Sequence, residues 1–182
     1  WYDLGTAALE AFVFCRLRSR LLKSAEGRVL EVAAGSGLNL VHCPRHLDVT
    51  AVDLSPGMLL RARNRGARKV VVMDAEHLAF KDGSFDTVVS TLGTCTFLNP
   101  VEALREMRRV CRPGGTVLLL EHGRSNRAAL AGWQDHHAHR WAAHLGCWWN
   151  REPLDNLRKA GLQPSAATRE CLGMVHVIQA SV

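Results

Sequence analysis

Val29-Leu30-Glu31-Val32-Ala33-Ala34-Gly35-Ser36-Gly37 is the stretch on which the reading of this chain turns. Its left half is a short apolar run with β-branched residues, the pattern of a buried strand. Its right half is a small-residue turn. Gly35 and Gly37 can adopt φ > 0 and carry no Cβ to hold a ligand off the backbone. Leu38 and Asn39 then open what reads as a helix. Strand, glycine turn and helix N-terminus together form a nucleotide-binding corner. The carboxylate of Glu31 falls near the strand's C-terminal tip, facing that corner.

Two nucleotide chemistries use such a corner. A dinucleotide site requires Gly-x-Gly-x-x-Gly, so that a pyrophosphate lies on the helix N-terminus. Here the third glycine is replaced by Leu40. An acid at the strand tip also repels a pyrophosphate and suits an ammonium group. S-adenosylmethionine has an ammonium, a sulfonium, a ribose and an adenine, but no phosphate. A second apolar run, Val49 to Val52, ends in Asp53, 22 residues after Glu31. An acid at the tip of a second strand can accept both ribose hydroxyls.

Working outward, the 182 residues suit one domain, 1–182, large enough for a three-layer core. No apolar run reaches membrane-spanning length. The chain begins at Trp1, which reads as a trimmed segment whose upstream targeting signal or anchor is not visible. The net charge of +6 serves solubility or a peripheral contact with an anionic membrane. Basic residues are scattered apart from Arg16, Arg18, Arg20 and Lys23, with no interleaved aromatics, so nucleic acid is not expected as a partner. Six cysteines contain no Cys-x-x-Cys pair and read as reduced, buried thiols of an intracellular protein, cytoplasmic or organellar, the mitochondrion included.

Residues 6 to 24 read as an amphipathic helix with Leu9, Val13, Leu17 and Leu21 on its apolar stripe and the arginines mostly off it. Tyr2 and Asp3 before it are candidates for a cofactor lid. A short helix after the glycine corner should stop near Pro44. Ser55-Pro56-Gly57-Met58 caps another, running to about Arg65. Met58 can pack on an adenine face or into the core. A third strand, Lys69 to Met73, ends in Asp74-Ala75-Glu76, where a carboxylate can accept from the adenine amino group. A fourth, Ser84 to Leu92, ends in small residues around Thr91 that leave room beneath a ligand. A helix over 100–111 is broken by Pro113-Gly114-Gly115. The fifth strand, Thr116 to Leu120, runs into Glu121-His122-Gly123.

Strands alternating with helices predict an α/β fold: a doubly wound, mainly parallel sheet with ligand residues at strand C-termini. Two last strand patterns, near 165–171 and 174–182, add an antiparallel C-terminal edge pair and make seven strands. Between them and the fifth strand, residues 124–151 read as a helical insertion on the substrate side. It holds His136, His137, His139 and His144 with four tryptophans. No cysteine joins these histidines at ligand spacing, and Asp135 alone of the acids does, so no metal site is expected. The tryptophans read as a substrate wall, with Trp148 and Trp149 as substrate-binding candidates and core packing as the rival reading.

By these residues the chain resembles the class I S-adenosylmethionine-dependent methyltransferases over nearly its whole length. Leu30 to Gly37 looks like their first motif and Ala51 to Met58 like their second. Asp74-Ala75-Glu76, Ser84-Phe85-Asp86 and Arg112-Pro113-Gly114-Gly115 resemble three later ones. Ala33 departs from the family, which usually has glycine there; the extra methyl is tolerable if φ stays negative. Gly146 to Arg151 and Leu120 to Arg124 are similar to a methyltransferase-like branch that includes a fungal mitochondrial inner-membrane member. Small-thiol and phospholipid N-methyltransferases look like more distant relatives.

Residue reading and resemblance together give a cofactor set of Tyr2, Glu31, Ala33, Gly35, Ser36, Gly37, Asn39, Asp53, Leu54, Met58, Asp74, Ala75, Glu76 and Thr91. The implied activity is methyl transfer from S-adenosylmethionine to a small-molecule or lipid-like acceptor. In-line displacement at an activated carbon needs positioning more than acid–base chemistry. His122 is the best placed base, with a structural histidine as the alternative. A nicotinamide-dependent oxidoreductase and a non-catalytic scaffold are the rivals, and the oligomeric state stays open.

Overall fold

Near-continuous apolar strands need a partner on both faces, and that requirement sets the architecture. The computed structural model describes residues 13–182. Tyr2, Asp3 and the first part of the predicted N-terminal helix lie outside the described residues. The elements in order are α1 (Cys15–Leu22), β1 (Arg28–Val32), β2 (Asp48–Asp53), α2 (Pro56–Asn64), β3 (Lys69–Val72), β4 (Phe85–Thr91) and α3 (Pro100–Val110). There follow β5 (Cys111–His122), α4 (Ala128–Leu145), α5 (Pro153–Lys159), β6 (Gln163–Glu170) and β7 (Val175–Ser181).

Seven strands form one sheet in the order β3-β2-β1-β4-β5-β7-β6. Strands β1 to β5 pair in parallel, while β7 runs antiparallel to both β5 and β6. The predicted seven-stranded sheet with its antiparallel edge pair is therefore present. Successive residues of the central strands feed opposite layers, as a period of two requires. Leu30, Val88, Val117 and Leu119 enter one core with Leu104, Met107 and Leu157 of α3 and α5. Val29, Val89, Leu118 and Leu120 enter the other with Leu17, Leu21 and Leu22 of α1. Burying each such side chain contributes about 1.5–3 kcal/mol.

Local chemistry explains the element ends. Asn99 accepts from the Glu102 amide at 3.2 Å to cap α3, and proline occupies its first turn. Ser55 accepts from the Met58 amide at 3.3 Å to cap α2. Two expectations differ from the structure. The stretch after Gly37 makes a succession of turns instead of a helix, with Leu40 N–H bonded to Gly37 O and His42 N–H to Asn39 O. Pro44 leaves it too short to propagate, and Asn39 is drawn inward by its side chain. Pro113-Gly114-Gly115 lies within β5, where the pairing with β4 jumps from Phe85↔Cys111 to Thr87↔Thr116. The helix α3 already ends at Val110, and the tripeptide forms a bulge inside the strand rather than the expected helix-breaking loop.

Candidate functional site

The parallel strands bring their C-terminal tips to one edge of the sheet, and two adjoining cavities open there. The first, about 190 Å³, is lined by Asp53, Leu54, Asp74, Ala75 and Glu76, with Met73, Phe97 and Leu98. The second, about 220 Å³, is lined by Arg18, Gly35, Ser36, Met58, Thr91 and Leu92. They share Ala33, Asp53 and Thr96, so they form two lobes of one cleft. A larger, open hollow of about 430 Å³ beside Asp82, Arg105 and Arg109 contains none of the predicted residues.

The glycine turn is built as predicted at Gly35 and Gly37, with φ of 55° and 81°. Their roles differ. A Cβ on Gly35 would meet only Met58 Cε, at 4.0 Å, so this glycine faces the cleft. A Cβ on Gly37 would lie 2.7 Å from Leu40 Cδ1 and 3.0 Å from the Ala62 backbone, so this one serves packing against α2. Ala33 also has positive φ, 55°, contrary to the negative value expected for an alanine. The sharp exit from β1 imposes it, and the left-handed conformation costs an alanine of order 1–2 kcal/mol. Arg65 donates to Ser36 O at 2.8 Å and to Ser36 Oγ at 2.5 Å, fixing the turn's outer limb.

Asp53 is held by two backbone donors: Gly35 N–H at 2.8 Å on Oδ2 and Ser55 N–H at 2.9 Å on Oδ1. It thus joins the glycine turn to α2 while each oxygen keeps a lone pair for a ligand. Asp74 caps the Glu76 amide at 2.9 Å, and Glu76 Oε1 accepts from the Asn99 amide at 2.7 Å. Leu54 is 70% exposed at the rim, and Met58 stands over Gly35.

Below the second lobe lies a buried polar network. Asn39 Nδ2 donates to Glu31 Oε1 at 2.9 Å and to Thr91 Oγ1 at 3.0 Å. Arg18 donates to Asn39 Oδ1 at 2.7 Å and also to Thr91 Oγ1. Glu31 is 3% exposed, and its Oε2 has no hydrogen-bond partner among the described residues. Burial pushes the Glu31 pKa up to about 7; the Asn39 bond and Arg18 oppose that, and Asp53 adds to it. Asn39 is a support beneath the cleft and is not part of its wall.

Sequence reading missed Arg18. It was placed on the polar side of the first helix, yet it is 4% exposed. The signal was available: Phe14, Arg18 and Leu22 recur at every fourth position and all three are buried. Gln134 was also missed. It is 1% exposed, accepts from the Ser125 amide at 2.8 Å and donates to the carbonyls of Gly123 and Trp149, both at 3.1 Å. It pins α4 to the segment after β5.

His122, Trp148 and Trp149 line neither lobe of the cleft. His122 Nε2 faces Cys147 Sγ at 3.4 Å and Cys95 Sγ at 3.7 Å. Burial disfavours its imidazolium, but Cys147 and the carboxylate of Glu121 outweigh this and raise its pKa. Glu121 is fully buried and accepts from the amides of Gly93 and Thr94 at 3.3 and 3.2 Å. Trp149 stacks on Trp141 with ring centroids 4.0 Å apart and planes 7° from parallel. With Trp133, His137, Arg140 and Leu145 these rings line an outer apolar hollow of about 390 Å³. Trp148 packs edge-on to His139 and donates its backbone N–H to Cys95 O at 2.9 Å.

Residues 30–119 match the family described as a methyltransferase domain. Over that stretch the chain is similar to the class I S-adenosylmethionine-dependent methyltransferases, a family whose cofactor is S-adenosylmethionine. It is 38% identical over 112 residues to phosphatidylethanolamine N-methyltransferase of Cereibacter sphaeroides, covering 58% of this chain and 55% of the relative. It is 29% identical over 204 residues to the mitochondrial methyltransferase OMS1 of Saccharomyces cerevisiae, covering 98% of this chain and 43% of the relative. The chain thus spans about half the length of these curated relatives. Its fold superimposes on geranyl diphosphate C-methyltransferase of Streptomyces coelicolor, solved with S-adenosyl-L-homocysteine. The TM-score is 0.79 at 15% identity, over 99% of this chain and 83% of the other. Among the described residues, no helix is long and apolar enough to cross a membrane.

Proposed function

We propose that this chain is an active enzyme that moves a methyl group from S-adenosylmethionine to a small-molecule or lipid-like acceptor. The observation that carries the reading is Glu31 Oε2, a buried carboxylate oxygen with no partner beneath a cleft at the sheet's C-terminal edge. Leaving such an atom unpaired costs about 1–3 kcal/mol, a cost relieved when a cation arrives. Arg18 lines the second lobe and offers a guanidinium for a carboxylate, and Glu31, buried beneath the lobe and lining neither, offers an acid for an ammonium, the two charges of an amino-acid moiety. Asp53 offers its free lone pairs to the ribose, and Asp74 or Glu76 can accept from the adenine amino group. Gly35 lets the ligand approach the backbone, and Met58 covers it. The bound cofactor supplies a methyl already activated by its sulfonium. The protein's task is to hold the acceptor in line and keep water out.

An acceptor that arrives with a free lone pair needs no base, and His122, turned toward two sulfurs, is not assigned that role. The nicotinamide alternative lacks its seat, since no α-helix opens after Gly37 to receive a pyrophosphate. A lipid-like acceptor is supported by the phospholipid substrate in the name of the bacterial relative. A peripheral membrane contact is supported by the half-exposed Trp133 and Trp141 on α4. The test is a single-turnover assay with methyl-labelled cofactor against phospholipid, amine and thiol fractions. Gly35→Val serves as the control that cannot accept cofactor. Labelled product from the wild type alone supports the enzyme. Cofactor binding with no labelled product in any fraction would favour the scaffold reading.

A further inference from the structure

Three soft ligand atoms converge beside the cleft from three separate segments. Cys95 lies in the loop after β4, His122 at the tip of β5, and Cys147 just beyond Gly146, the left-handed cap of α4. Their sequence separations are 27 and 25 residues, so chain connectivity does not explain the meeting. Cys95 is 1% exposed and Cys147 8%. The two thiol sulfurs and a ring nitrogen of His122 all lie within 4.8 Å of one another.

The two sulfur–nitrogen distances match edges of a metal polyhedron. With Zn–S of about 2.3 Å and Zn–N of about 2.0–2.1 Å, a tetrahedral angle sets sulfur and nitrogen about 3.6 Å apart. The observed separations from His122 Nε2, 3.4 Å to Cys147 and 3.7 Å to Cys95, bracket that value. The frame around the atoms is tied as a ligand shell must be. Trp148 N–H bonds to Cys95 O at 2.9 Å, and Arg151 reaches Thr94 O at 2.5 Å, locking the two cysteine segments together. Two thiolates, a neutral imidazole and a divalent cation sum to zero charge, which a buried site tolerates. Thiolate and imidazole ligands select zinc-class ions over magnesium or calcium.

We propose that Cys95, His122 and Cys147 bind one zinc-class divalent cation, with three protein ligands and a fourth position for water or an acceptor group. Spacing along the sequence offers no such set, because the ligands come from three separate segments. The proposal does not depend on the proposed activity, and its test reads metal directly.

The chain is purified under reducing conditions, stripped with a chelator, and titrated with Zn²⁺ in competition with a chromophoric chelator. A parallel titration uses Co²⁺. The expected result is one equivalent of either ion, with sulfur-to-cobalt charge transfer and a tetrahedral ligand-field band. Cys95→Ser, Cys147→Ser and His122→Ala should each weaken Zn²⁺ by two orders of magnitude or more. Cys43→Ser and Cys171→Ser, outside the cluster, should bind as the wild type does. Circular dichroism of each variant checks folding, and the wild-type titration stands whatever the variants do. No stoichiometric uptake by the reduced wild type, an octahedral cobalt spectrum, or unchanged affinity in all three folded variants would overturn the proposal. So would a Cys95–Cys147 disulfide found by peptide mapping whose reduction restores no metal binding.

Discussion

Replacing Glu31 by glutamine should make the empty protein more stable and the cofactor complex weaker. The change keeps the side chain's shape and removes its charge. In the wild type, burial lifts the Glu31 pKa from 4.5 to about 7. That gap, at 1.36 kcal/mol per unit, amounts to roughly 3 kcal/mol held against the folded state when the group is ionised. The folded chain holds this proton more tightly than the unfolded one. Stability from this group is therefore greatest below about pH 4.5, declines as pH rises toward 7, and is flat above. Of the total, roughly 2–3 kcal/mol accumulates between pH 5 and pH 8. In Glu31→Gln that decline disappears. The gain at pH 8 is reduced to about 1–2 kcal/mol, because the amide NH₂ standing where Oε2 stood also needs a partner. S-adenosylmethionine should bind about 10- to 100-fold more weakly to the variant at pH 8, from loss of a charge-assisted bond to its ammonium. Urea melts of both proteins at pH 5 and 8 without cofactor, with calorimetric cofactor titrations at pH 8, measure the two effects. Equal pH dependence in the two melts, or an unchanged cofactor affinity, would refute the argument.

Three further outcomes follow from the same geometry. Ala33→Gly should raise stability by about 0.5–1 kcal/mol in a urea melt, since relief of the strain at φ 55° exceeds the entropy that glycine adds to the unfolded chain. Asp53→Ala should cost the empty protein about 1–2 kcal/mol, because the amides of Gly35 and Ser55 lose their acceptor, and should also weaken cofactor binding in calorimetry. Trp149→Ala should destabilise by about 2–3 kcal/mol through its stack on Trp141 and its bond to Gln134 O, while cofactor affinity in the folded variant stays within a few-fold. A tenfold loss of affinity there would show that the α4 segment reaches the cleft.

The candidate cleft was legible in the sequence because its chemistry is local. A strand tip, a glycine turn and an acid at its end are each written within ten residues. Parallel β1, β2 and β3 then place Glu31, Asp53 and Asp74 at one edge by strand direction alone. The apolar runs of β4 and β5 declared themselves buried on both faces, and Ser55 and Asn99 marked their helices by capping chemistry. These readings needed side-chain types and periodicity, which the sequence contains in full.

What tertiary structure decided concerns residues whose meaning depends on distant partners. Asp53 read as a ligand for ribose, and the fold makes it the acceptor for the amides of Gly35 and Ser55. Arg18 read as a solvated charge until α1 packed it onto Asn39 and Thr91. Ala33 read as tolerable at negative φ, but the exit from β1 requires the left-handed region, a backbone demand that composition does not encode. Cys95, His122 and Cys147 carry no mutual spacing, and only the order β4-β5 with the return of α4 brings them together. Short-range periodicity specifies elements and their faces. Which side chains meet across more than twenty residues is set by sheet order and by the closure of loops, and there the physical reason lies in packing rather than in pattern.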